Sequence, residues 1–180
     1  MGHVPRRVRR DVTLSFAACV ALLALACEAG PPPVTPTPVA GTEGAPREVN
    51  LIAKDYSFQP ATLDLVRGET VLLHVVNGGL EVHEAVIGDA RVQDAWESAE
   101  AVTAGAPPGP TPQVSVPPDV AGLRVVVRSG ERVDVRWTVP LAPGLDQGPA
   151  STDWTVGCHI PGHLANGMSI PIRWVGEPAS

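Results

Sequence analysis

Proline and glycine set the class of this chain: 20 Pro and 18 Gly in 180 residues interrupt it too often for a helical protein. Short strands joined by punctuated turns suit that spacing, and 44% hydrophobic residues suffice for one core. From Glu48 the pattern has period two. Val49, Leu51 and Ala53 alternate with Asn50, Ile52 and Lys54, and Leu63 and Leu65 mark a second strand that ends at Arg67-Gly68-Glu69. In the next strand Val71, Leu73 and Val75 share one face, and Leu72, His74 and Val76 the other. Asn77-Gly78-Gly79 breaks it, and a new apolar run opens at His83.

Strand character returns over residues 123–127, and Val133, Val135, Trp137 and Val139 alternate after a turn at Ser129-Gly130-Glu131. Residues 152–157 read as a strand, and Ile170, Ile172 and Trp174 alternate in a closing one. The fold predicted is all-β, a Greek-key β-sandwich of about eight strands. Residues 88–121 read as an insertion. Within it Val92, Trp96, Ala99 and Val102 recur at helical spacing between Ala90 and Ala104, which predicts a short amphipathic helix with Trp96 as a core or cover residue. The prolines at 107, 108, 110, 112, 117 and 118 predict an irregular loop after it, and residues 141–150 predict another.

The N-terminus reads as an export signal over residues 1–26. Arg6, Arg7, Arg9 and Arg10 precede an apolar run from Val12 that is too short for a comfortable membrane span. Ala24-Leu25-Ala26-Cys27 resembles a bacterial lipoprotein cleavage site, with Cys27 as the lipid-modified residue. The chain is therefore expected to be exported and held by that lipid on the periplasmic or outer face of the cytoplasmic membrane. Residues 27–46, rich in proline, read as a semi-rigid tether, and residues 47–180 as the folded domain. Residues 1–26 carry four Arg and one Asp, so their removal takes the net charge from −6 to −9. Such a balance argues against nucleic acid and is compatible with a basic partner protein.

Of three cysteines, Cys19 lies in the signal, Cys27 is the lipid candidate, and Cys158 alone belongs to the domain, so no disulfide is available there. Cys158 opens the stretch Gly157-Cys158-His159-Ile160-Pro161-Gly162-His163-Leu164-Ala165-Asn166-Gly167-Met168. Cys158, His163 and Met168 are evenly spaced, with four residues between each pair, in a segment that Pro161, Gly162 and Gly167 keep from being a regular helix. A thiolate, an imidazole and a thioether together suit copper, and with a second histidine they make the blue-copper set of His2Cys and a weak axial Met. The other histidines are His3, His74, His83 and His159. His74 lies mid-strand and reads as structural, whereas His83 emerges from a turn at a strand's start, where it is able to meet a loop from the other sheet. His83 is the second histidine predicted.

Taken with Phe58-Gln59-Pro60, Gly68-Glu69-Thr70-Val71 and His83-Glu84-Ala85-Val86-Ile87, the C-terminal loop resembles that of cupredoxins of the plastocyanin and azurin type, over roughly residues 49–175. The resemblance implies one type 1 copper ion held by His83, Cys158, His163 and Met168. It implies single-electron transfer between redox partner proteins, with no small-molecule substrate and no enzymatic activity. It makes His163 the electron port, with Pro161, Gly162, Leu164 and Ala165 as an apolar docking patch. In those families an Asn follows the first histidine and ties the two ligand segments together, and Glu84 stands in that place here.

The same residues admit other uses. A copper-binding lipoprotein for storage or delivery could use the same ligands. Cys158-His159 with His163 and Met168 also resembles the last copper motif of multicopper oxidases, but five histidines are too few for a trinuclear cluster as well. Zinc lacks a fourth good ligand, and a sandwich without metal gives no reason for the spacing of the soft donors.

Overall fold

Leu51, Leu73 and Val75, each on the apolar side of an alternating strand, are fully or almost fully buried in the computed structural model, which describes residues 2, 37–105, 114–141 and 153–179. The export signal, Cys27, the prolines at 31–33 and 36, and most of the loops at 106–113 and 142–150 lie outside the described residues.

Nine strands are found among the described residues: β1 (Arg47–Lys54), β2 (Ser57–Gln59), β3 (Leu63–Leu65), β4 (Thr70–Asn77), β5 (His83–Gly88), β6 (Leu123–Val127), β7 (Arg132–Thr138), β8 (Thr155–Gly157) and β9 (Ser169–Trp174). They form a four-stranded sheet of order β2-β1-β4-β7 and a five-stranded sheet of order β3-β9-β8-β5-β6. β1 pairs in parallel with β4, and β3 with β9, while the remaining pairs are antiparallel. β1–β2, β5–β6 and β8–β9 pair as neighbours within a sheet, and the other connections cross between the two sheets, as in a β-sandwich. The core lies between them, where Leu51, Leu73 and Val75 meet Ile87, Val125, Val156 and Ile170.

Two elements differ from expectation. β2 is three residues long with one buried side chain, Phe58, and so carries too little alternation to be read. The helix α1 spans Ala90–Ala101, capped by the Asp89 side chain, and ends before Val102, which is exposed. Glu100 takes the expected place of Val102 on the buried stripe, beside Val92 and Trp96.

α1 explains why every residue of β5 is buried. His83, Ala85 and Ile87 face inward, and the alternate set, Glu84 and Val86, is covered by the helix, with Val86, Val92 and Trp96 forming a second small cluster. The compact unit begins at Thr37, within the proline-rich stretch read as a tether. Thr37 and Pro38 already lie against Gly176, and Gly41 fastens the stretch further on. Its amide donates to Glu69, its carbonyl accepts from Thr70, and a Cβ there would come within 2.2 Å of Arg47 N and Thr70 O, so only glycine allows the backbones to approach.

Candidate metal centre

His83 begins β5, and Cys158 follows the last residue of β8, which is antiparallel to β5. The pairing brings the two side chains to one end of the sandwich. His163 and Met168 lie in the return from β8 to β9. Cys158 N donates to Met168 O, and Met168 N to His163 O, each at 3.1 Å. The return closes with Gly162 at φ +91° and Gly167 at φ +92°, left-handed conformations that favour glycine.

The result is a buried trio. His83 Nδ1 is 3.2 Å from His163 Nδ1, which is 3.3 Å from Cys158 Sγ, and the three donor atoms lie within 4.8 Å of one another. His83 and Cys158 are fully buried, and His163 is 4% exposed. Met168 is fully buried on the same return.

Each imidazole is oriented by a carboxylate on its far side. His83 Nε2 is 3.0 Å from Asp55, and His163 Nε2 is 3.1 Å from Glu81. An ionised carboxylate has no proton to give, so each Nε2 carries the hydrogen and each Nδ1 turns its lone pair toward the sulfur. The hydrogen bond from His83, followed by that from the Glu81 amide, holds the Asp55 carboxyl below its ordinary range. Burial, then the nearby His83, lowers the pKa of His163 and keeps it neutral, as a nitrogen ligand must be. Tyr56, at φ +63°, meets the His163 ring edge-on at 5.2 Å between centroids, and its hydroxyl donates to Glu81.

Burial pushes the Cys158 thiol up from 9.0 to about 12. Without metal the unfolded thiol ionises near its ordinary value while the folded one holds its proton, so stability is intact below about pH 9 and falls as pH rises toward 12. Chemical denaturation of the metal-free chain across that window is expected to show the loss, and Cys158→Ala to remove that part of it.

The other histidines stand apart. His74, mid-strand in β4, has its Nδ1 2.8 Å from Asp134 on the facing strand. His159 turns to α1, with Nδ1 2.9 Å from Glu97 and Nε2 2.7 Å from Gln93. Of the expected docking patch, Pro161, Gly162 and Ala165 are exposed and Leu164 is half-buried. Asp55, Glu81 and Tyr56 were missed by sequence reasoning. Their only signal was two acids in turns, one of them two residues before His83.

Two histidine nitrogens and a cysteine sulfur, converging in a buried site on whose loop Met168 also lies, form a set that fits one copper ion. No protein-family model matches the chain, and no curated protein matches it. Solved structures do. A dithionite-reduced auracyanin from the photosynthetic bacterium Roseiflexus castenholzii is 18% identical with a TM-score of 0.54, over 77% of this chain and 100% of that one. Auracyanin B is 21% identical with a TM-score of 0.51, over 78% and 94%. Auracyanin A, titled a blue copper protein from the green thermophilic bacterium Chloroflexus aurantiacus, is 18% identical with a TM-score of 0.51, over 71% and 98%. At these identities the likeness is one of fold, and the fold of this chain is that of the cupredoxins.

Proposed function

We propose that this chain is a type 1 copper protein that carries single electrons between redox partner proteins, exported and tethered to the membrane by a lipid on Cys27. The observation that supports it most is the buried convergence of His83 Nδ1, His163 Nδ1 and Cys158 Sγ within 4.8 Å. In this reading those three residues are the strong ligands and Met168 the weak axial one. The blue copper protein among the structures of similar fold points the same way.

Copper supplies the one-electron Cu(I)/Cu(II) couple. The residues do the rest. Asp55 and Glu81 fix the histidine tautomers, and the Glu84 amide, 3.5 Å from Cys158 Sγ, donates to the sulfur. A pre-oriented donor set in a packed sandwich suits both oxidation states with little rearrangement. His163 lies nearest the exposed Pro161, Gly162 and Ala165 and is the port in this reading. Storage or delivery of copper favours ligands a recipient is able to reach, and these are buried.

The test is a visible spectrum of the full chain loaded with Cu(II) and then titrated with ascorbate. An intense thiolate-to-copper band that bleaches on reduction and recovers in air is expected. A colourless protein of confirmed copper content would sink the electron-transfer reading. Globomycin treatment of expressing bacteria, with the mass of the N-terminal peptide as the readout, tests the lipid on Cys27.

A further inference from the structure

Behind the sulfur lies an ion triad that the inserted helix completes. Glu84 is fully buried. Its amide donates to Cys158 Sγ, and its carboxylate accepts from His159 N at 3.0 Å and from Arg124 Nε at 2.6 Å. Arg124 reaches on to Glu100 of α1, Nη2 to Oε1 at 2.7 Å, and Glu100 is itself 3% exposed. Trp96 covers the guanidinium, whose carbon lies 4.5 Å from the ring centroid, and the indole N–H is fixed on Ala121 O at 2.9 Å. Gln93 and Glu97 of the same helix hold the His159 ring.

Two features make this more than packing. The Glu84 carboxylate is joined to the segments on both sides of the sulfur, through its own backbone to His83 and through His159 N to Cys158. A buried carboxylate also needs a counter-charge and filled acceptor sites to stay in place. Arg124 is that counter-charge, and Glu100 with Trp96 holds Arg124.

We propose that Arg124 is a positioning residue for the Cys158 sulfur, acting through Glu84, and that α1 contributes Glu100 and Trp96 to keep it there. The proposal rests on the copper reading for its spectroscopic consequence but not for its geometry. With the triad intact, the Glu84 amide stays aimed at the sulfur and the sulfur stays closed to reagents. Loosening the Arg124 end frees Glu84, lets the β5 and β8 ends part, and alters the hydrogen bonding to sulfur that tunes such a centre.

The experiment uses the full chain with Arg124→Lys, which keeps a charge but loses the two-armed fork, and Glu100→Gln, which weakens only the α1 end. In the metal-free chain, iodoacetamide labelling of Cys158 is followed by peptide mass spectrometry. Both variants are expected to label about tenfold faster than wild type, the worth of one charge-assisted hydrogen bond. In the copper-loaded chain their visible band and reduction potential are expected to move, whereas an Asp64→Asn control, which breaks the exposed Asp64–Arg173 pair between β3 and β9, leaves both in place. If Arg124→Lys fails to fold, Glu100→Gln decides. A folded Glu100→Gln chain with wild-type labelling, band and potential overturns the proposal. A wild-type chain that gives no thiolate-to-copper band overturns the copper reading instead, and the labelling result still stands for or against the triad.

Discussion

Cys158→Ser is expected to abolish the visible band of the copper-loaded chain completely while the sandwich still unfolds cooperatively. Serine is almost the same size and its hydroxyl still accepts from the Glu84 amide, so the fully buried site keeps its packing. The hydroxyl does not ionise to replace a thiolate, and both the charge-transfer band and the strongest bond to the ion disappear with the sulfur. Loss of a group that only orients a ligand costs roughly 10–100-fold in metal affinity, and loss of the ligand itself is expected to exceed that. Absorption and competition with a copper chelator measure both. Retention of the band in Cys158→Ser would remove Cys158 from the ligand set.

Glu69→Ala is expected to be the most destabilising single change on the opposite side of the molecule. Glu69 is fully buried and lies between β3 and β4. Its carboxylate accepts from Arg47 Nε at 2.8 Å, from Val66 N at 2.7 Å and from Gly41 N at 3.3 Å, and so joins the approach to β1, β1 itself and the β3–β4 turn. Alanine leaves two amides without their acceptor and the half-buried Arg47 guanidinium with only its bond to Asp64 O at 3.0 Å. Removing one partner of a buried ion pair costs roughly 3–5 kcal/mol, a large share of the 5–15 kcal/mol that holds a typical domain together. Urea denaturation of the metal-free chain reads it directly, and a loss below about 1 kcal/mol, the range of an exposed pair, would refute the role.

These two residues also mark what was legible before any fold was known. Cys158 was readable because its chemistry is local: a soft donor at fixed spacing from His163 and Met168, in a loop that proline and glycine keep out of a helix. His83 was readable by elimination among five histidines and by its place at the start of a strand. Glu69 appeared only as part of a turn signal, because its partners come from 3, 22 and 28 residues away and no local pattern announces them. The same holds for Glu84, seen in sequence as a substitute for an asparagine. Its hydrogen bond to His159 N supplies a tie between the ligand segments, but its charge requires Arg124, 40 residues on. Strands long enough to alternate, such as β1 and β4, declared themselves, whereas β2, with one buried residue of three, could not.

His83 and His163 face each other at 3.2 Å across 80 residues of chain. An ion coordinated by both would close that loop as a cross-link, in a molecule whose described residues include one free cysteine and no disulfide. A cross-link spanning a loop of this length lowers the entropy of the unfolded chain by roughly 4–5 kcal/mol at room temperature on the chain-entropy model. The staple is reversible, because it exists only while metal is held. If copper is that ion, its supply would set the lifetime of the protein among proteases, and a chain made in copper-poor conditions would be the one degraded first.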